Sequence, residues 1–199
     1  MKFVLASASI RRQELLKKII NNFEVIVSDF NENKIDFNGN VGDYVKELSM
    51  GKAMEVANKL KNQSDSDRLI IIAADTVVAV DDKVIGKPKD AEDAIKTLKL
   101  LNGRYHYVYT GFSLIEMPQL KKIQDFACTE VKFSELNDNE IEEYVKSGEP
   151  MDKAGSYGIQ GKGGLFVEKI NGCYYNIVGL PLNKIFYALK WMGVNLTEE

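Results

Sequence analysis

A chain of 199 residues with 26 Lys and Arg against 29 Asp and Glu, net charge −3, lacks the cation surplus with which a protein tracks nucleic-acid backbones. Its 45% hydrophobic and 28% charged content and mean hydropathy of −0.22 match a soluble globular protein, and no apolar run approaches the roughly 20 residues that span a bilayer. The length suits one domain with a sizeable core, while Cys128 and Cys173, two thiols without CxxC spacing, read as small core or half-buried residues in a reducing compartment.

"KFVLAS" is short and apolar, and "IRRQELLKKII" places Ile10, Leu15, Leu16, Ile19 and Ile20 where a helix buries one face. The apolar stretch is too short for the h-region of a signal peptide, so it reads as a first strand. "FEVIVSDF" predicts a second strand, and the polar "NENKIDFNGNVG" a loop. "DYVKELSMGKAMEVANKLKN" has helical spacing, with Asp43 as its expected N-cap. "RLIIIAADTVVAVDDKVIGKP" gives the strongest strand signal, with Leu69 to Ala74 reading as buried on both faces, Asp81 and Asp82 marking a turn, and Gly86 and Pro88 an end.

Asp90 opens a helix that Gly103 closes. "YHYVYTGFSLIEM" and "KKIQDFACTEVKFSEL" form a predicted antiparallel hairpin about Pro118-Gln119. A short helix from about Asn139 to Ser147 ends at Gly148; "EPMDKAGSYGIQGKGG" is a glycine-rich loop; "LFVEKINGCYYNIVG" returns to strand; and "LPLNKIFYALKWMG" is a terminal amphipathic helix. Interleaved helices and strands followed by a long hairpin give an α/β protein with a mixed sheet.

His106 is the single histidine and lies mid-strand, which argues against histidine-based catalysis and for a structural role. Neither cysteine has an activating neighbour in sequence, and "GKA" fails the P-loop pattern, with Lys46 in place of the first glycine and Ala53 in place of the hydroxyl residue. What remains is carboxylates and cations near strand ends. Asp75 follows "LIIIAA", where open α/β sheets present functional groups. A carboxylate buried there unpaired is costly, and metal binding or general-base work would resolve that cost.

Glu32 lies in the loop after the second strand and can reach the same sheet edge. Arg11 and Arg12 begin a helix, where the dipole favours anions, and Ser7 and Ser9 add hydroxyls. With Lys52 and Lys87, the set of cations suits a polyphosphate better than one carboxylate. The glycine-rich loop serves either as a mobile connector or to bring backbone close to a ligand, with Gln160 able to read a base edge.

Taken in order, "LASASIRRQELL", Glu32 in "SDFNE", "GKA", "AADTVV", "GKP", "LNGRYHYVYTG", "DKAGSYGIQGKGG" and "YYNIVGLPL" resemble the Maf family of nucleoside triphosphate pyrophosphatases over essentially the whole chain. The resemblance implies one Maf-like domain over 1–199 with an inosine triphosphatase-like (Maf/Ham1-like) fold. This is an elongated, twisted mixed β-sheet flanked by helices, with a cleft between two lobes. It implies a cytoplasmic hydrolase acting on acid anhydrides that cleaves between the α and β phosphates, with Asp75 as general base. Glu32 and Asp75 would hold a divalent metal cation, Mg²⁺ or Mn²⁺, and Ser7, Arg12, Lys52 and Lys87 would bind the triphosphate.

The "AGSYGIQG" form looks like the branch acting on dTTP and UTP, in which positions matching Arg11, Thr76 and Gln160 set specificity. Ile10 stands where the family's S-x-S-P-R-R has proline, and Ala8 where glycine is common. A homodimer without stable nucleic-acid or membrane binding is also implied. The alternative is a septum-formation regulator of cell division acting through a binding partner.

Overall fold

The computed structural model describes residues 1–61, 68–81 and 83–196; Asn62, the expected end of the second helix, and Asp82 of the expected turn lie outside them. The strands are β1 (Lys2–Leu5), β2 (Glu24–Val25), β3 (Leu69–Val80), β4 (Lys83–Ile85), β5 (Tyr105–Met117), β6 (Lys121–Phe133) and β7 (Val167–Asn171). The helices are α1 (Ile10–Leu16), α2 (Val41–Leu60), α3 (Ala91–Leu101), α4 (Asp138–Lys146), α5 (Tyr174–Val178) and α6 (Leu182–Trp191). The sheet has seven strands in the order β2-β1-β3-β5-β6-β7, with β4 pairing β3. β1 runs parallel to β2 and β3, while β4 is antiparallel to β3 and β7 to β6, so the sheet is mixed as expected.

Two compact units divide the chain. The first comprises Met1–Asp75, Thr110–Ala127 and Gly179–Glu199, and the second Thr76–Tyr109 and Cys128–Val178. In the first, α2 packs Ala53, Val56 and Ala57 onto Val4, Leu69, Ile71, Ala73, Ile115 and Met117 of β1, β3 and β5. Ser49 and Ser113 share a buried hydroxyl contact of 2.8 Å that fixes α2 against β5. In the second, Leu98 and Leu101 of α3 and Ile141 and Val145 of α4 close over Val78, Val80, Val108, Val131 and Phe133.

Three expectations are corrected. The second strand shrinks to Glu24–Val25 because the backbone beyond it is bound to α2 instead: the carbonyl of Val27 accepts from Lys59 Nζ (3.1 Å) and the N–H of Asp29 donates to Glu55 (3.1 Å). Helix α2 starts at Val41 with Asn40 as its cap, and Asp43 is the residue whose N–H the cap receives (3.0 Å). The stretch from Leu165 to Gly179 is not all strand. Gly172, at φ +138°, ends β7; Asn176 then turns inward and donates to Val108 O and Thr129 Oγ1 (both 2.9 Å), folding residues 174–178 as a helical turn.

Cys128 is exposed and Cys173 partly buried. Alternation along β6 buries Ala127 and Thr129 and turns Cys128 outward. His106 is fully buried, with Nε2 2.9 Å from Tyr157 Oη and its ring edge-on to Phe133. Burial pushes its pKa down to about 4, so the imidazole is neutral near pH 7 and structural, as the sequence predicts.

Candidate active site

Within the first unit, Ser7, Glu32 and Asp75 come from three parallel strands on their C-terminal sides. β1 pairs with β3 only as far as Leu5 opposite Ile72, and the Ala6 N–H still reaches Ile72 O at 2.8 Å. Ser7 therefore leaves the sheet just where β3 continues without β1 toward Asp75. Asp75 stands inside β3, not at its end, yet at the point where its neighbour departs, which is where parallel sheets open a crevice.

Asp75 is 8% exposed. Strand alternation gives it the face of Ile71 and Ala73, the face that α2 covers. Lys52 of α2 answers the burial: its ammonium pairs with Asp75 and simultaneously lies 2.7 Å from Glu32 Oε1. An ion pair of this kind offsets part of the desolvation that an isolated carboxylate would suffer.

Glu32 reaches Lys52 because its loop is strapped along one face of α2. Lys59 donates to Val27 O and to Asp29 Oδ2 (2.7 Å), Glu55 accepts from Asp29 N, and the Phe30 ring lies over Gly51. These anchors recur every four residues, the spacing that shares a helix face. Asn31 then caps the short 3₁₀ turn Glu32–Lys34 by accepting from Asn33 N at 3.1 Å.

At α1, Ser9 caps the helix by accepting from Arg12 N (3.4 Å), and Ser7 Oγ accepts from Ser9 N (3.3 Å) and Arg12 Nη1 (3.4 Å). Arg12 Nε donates to Gly179 O at 2.9 Å, which fixes the plane of the guanidinium. Burial lowers the pKa of Arg12 while the nearby Asp75 and Glu32 carboxylates raise it; an arginine stays charged throughout.

Tyr44, unmarked in the sequence reading, belongs to the same environment. Burial raises its phenol pKa, as do Asp75 and Glu32. Its spacing of eight residues before Lys52 on one helix face was the available signal.

The pair of carboxylates converging on one ammonium is a place that attracts positive charge. Among the described residues no three His, Cys, Asp or Glu gather, so the donor set is not a closed structural cage of the zinc type. Two carboxylates, completed by phosphate oxygens and water, are the set that Mg²⁺ takes. The residues present fit a divalent cation of that kind.

The other predicted residues fall elsewhere. Arg11 sits beside Arg12 in the first turn of α1. Thr76 follows Asp75 in β3 and so points to the opposite face. Lys87 and Gln160 belong to the second unit. Lys87 follows β4, and the carbonyl of its neighbour Gly86 accepts from Gly155 N (3.0 Å), joining that segment to the glycine-rich loop. Gln160 is exposed in a turn that Gly161 N closes onto Gly158 O at 3.1 Å.

The loop's glycines have a physical reason. A Cβ on Gly161 would fall 2.6 Å from Glu149 Oε2, and one on Gly163 2.6 Å from Tyr144 Oη. The backbone approaches its own side chains, which neither alternative of the sequence reading anticipated.

The sequence matches the Maf-like protein family over residues 2–192. The chain belongs to the Maf family. Its Maf relatives include a Clostridium tetani protein named dTTP/UTP pyrophosphatase, 58% identical over 98% of this chain and 100% of that one. A Clostridium botulinum protein of the same name is 54% identical over 97% and 98% of the respective chains. Among solved structures, the Staphylococcus aureus Ham1 protein aligns with TM-score 0.43 and 16% identity over 67% of this chain and 72% of that one. Among the described residues of this Maf protein no helix is long and apolar enough to cross a membrane.

Proposed function

We propose that this Maf protein is a nucleoside triphosphate diphosphatase that hydrolyses dTTP and UTP, with modified pyrimidine analogues, to the monophosphate and pyrophosphate. The observation that carries the reading is the buried Asp75 carboxylate, which shares the Lys52 ammonium with Glu32. The names of the relatives at 58% and 54% identity support the substrate pair.

In this reading Asp75 accepts the proton of the attacking water as general base. Arg12, Lys52, Ser7 and Lys87 hold the triphosphate and offset the charge that grows on the departing pyrophosphate, as suits a reaction governed by positioning and electrostatics. Glu32 and Asp75 would hold Mg²⁺ or Mn²⁺, which would supply positive charge to offset that of the phosphate oxygens. Arg11, Thr76 and Gln160 discriminate the base, the Gln160 amide offering a donor and an acceptor to the O4/N3 edge of uracil or thymine.

In the same reading the chain is one Maf-like domain over 1–199. The same reading includes a cytoplasmic homodimer, and the net charge of −3 supports a small-molecule substrate over stable nucleic-acid binding.

The test is pyrophosphate release from dTTP and UTP with Mg²⁺ or Mn²⁺. Wild type turns both over, and Asp75→Asn abolishes release while its thermal unfolding stays cooperative. No turnover by wild type across a panel of normal and modified triphosphates would move the reading to a septum-formation regulator acting through a partner. Activity retained in Asp75→Asn would remove the base assignment alone.

A further inference from the structure

The turn that presents Gln160 is held at its base by a single carboxylate. Glu149 Oε1 accepts from Gly163 N (3.2 Å) and from Tyr144 Oη (3.0 Å), and Oε2 accepts from Lys162 N (3.0 Å). Tyr144 Oη, fixed by that bond, accepts in turn from Gly158 N (3.1 Å). Gly158 and Gly161 are the two ends of the turn itself. Gly158, the first end of the turn, is thus tied through Tyr144, and Lys162 and Gly163, which follow its second end, are tied directly, to one side chain.

The packing is as close as the hydrogen bonding. The Cβ that Gly161 lacks would lie 2.5 Å from Glu149 Cδ, and that of Gly158 2.5 Å from Lys153 Cε. Lys153 Nζ donates to the Glu149 carbonyl at 2.6 Å and closes the clamp from behind. Tyr144 and Phe166 stack edge-on at 4.8 Å and seat the clamp in the core of the second unit.

We propose that Glu149 is a positioning residue for base discrimination: its carboxylate fixes the 158–161 turn so that the Gln160 amide meets the pyrimidine edge in one orientation. The proposal rests on the reading of Gln160 given above. A neutral amide at position 149 keeps one acceptor oxygen but turns N–H donors toward backbone donors, so the turn loses at least one tie. An amide that reads hydrogen bonds discriminates only while it is held in place.

The experiment compares kcat/KM for dTTP and UTP with that for dCTP and CTP in wild type, Glu149→Gln, Tyr144→Phe, Gln160→Ala and the Glu149→Gln/Gln160→Ala double variant. Glu149→Gln is expected to reduce the uracil-type preference on the order of tenfold, with the loss in KM more than in kcat. Tyr144→Phe, which removes one bond from Glu149 and one from Gly158, shifts the same way, and carries the test if Glu149→Gln does not fold. In the double variant the preference falls no further than in Gln160→Ala, the non-additivity of residues acting through one group.

A folded Glu149→Gln that keeps the wild-type preference, or a loss that adds in full to that of Gln160→Ala, overturns the proposal. An unchanged preference in Gln160→Ala overturns the reading of Gln160 and the proposal with it, so the two failures are told apart.

Discussion

The ring of Phe30 fills the space that a side chain at Gly51 would need: a Cβ there would fall 2.5 Å from Cε1 and 2.7 Å from Cε2. In an exposed helix, Gly→Ala stabilises by up to about 1 kcal/mol. Here Gly51→Ala displaces Phe30 and with it the turn that carries Glu32, so stability falls. Apparent affinity for the activating divalent cation weakens roughly tenfold, as when a residue supporting a metal ligand is lost. Metal titration of turnover, with Phe30→Leu as a relieving second change, measures this; an unshifted titration curve would uncouple Glu32 from the packing.

Lys52→Met leaves two carboxylates facing one point with no cation between them. The variant is expected to unfold at lower temperature in chelator than wild type, and to gain more from added Mg²⁺ than wild type gains, because a ligand stabilises by its affinity for the folded state. Turnover falls on the order of a hundredfold, the scale of one lost electrostatic contact to the transition state. Equal Mg²⁺-dependent shifts in melting temperature for the two proteins would contradict the shared-carboxylate arrangement.

Arg12→Lys keeps the charge but not the Nε that donates to Gly179 O. A lysine has no planar fork to be held in register, so the exchange is not conservative here. KM for dTTP is expected to rise about tenfold, close to the effect of Arg12→Ala. A lysine variant with wild-type KM would show that charge alone suffices.

His106 gives the fold a measurable pH dependence. Its folded pKa, depressed by burial to about 4 from 6.5, means that the unfolded chain binds the proton first. Stability from keeping the ring neutral is complete above pH 6.5 and is lost as pH falls toward 4, by about 3 kcal/mol. Urea unfolding of wild type against His106→Asn between pH 7 and 4 isolates this slope from that of the carboxylates. Parallel profiles would show that the ring protonates freely in the folded state.

Elements fixed by local chemistry were readable in the sequence. Asp90 and Gly103 bracket α3, the 105–117 strand is found at its expected bounds, and the run from Leu69 marks β3. Elements decided by distant partners were not. The short β2 depends on Lys59 and Glu55 thirty residues along the chain, and the helical turn at 174–178 on an inward Asn176 that side-chain composition does not distinguish from a strand residue.

In the candidate site, residue types exposed Asp75 and Arg12 through the unfavourable burial or placement of charge, whereas Glu32 and Lys52 gained their roles only from the family resemblance. Their mutual distances were not encoded locally, since Lys52 meets Asp75 across 23 positions. The glycine-rich loop misled for a related reason: glycines announce that something approaches the backbone without saying whether it is a ligand or the chain itself.

The strap from Val27 to Glu32 has a consequence for how such a site changes over time. Its anchors run from Gly51 to Lys59, roughly 12 Å of helix, and the farthest, Lys59 with Asp29, is at the surface. Substitutions there touch neither carboxylate partner of Lys52, yet they move the base on which Glu32 stands. On the proposed role of Glu32, cation preference is thereby open to adjustment from outside the site, by surface changes that a comparison restricted to ligating residues would pass over.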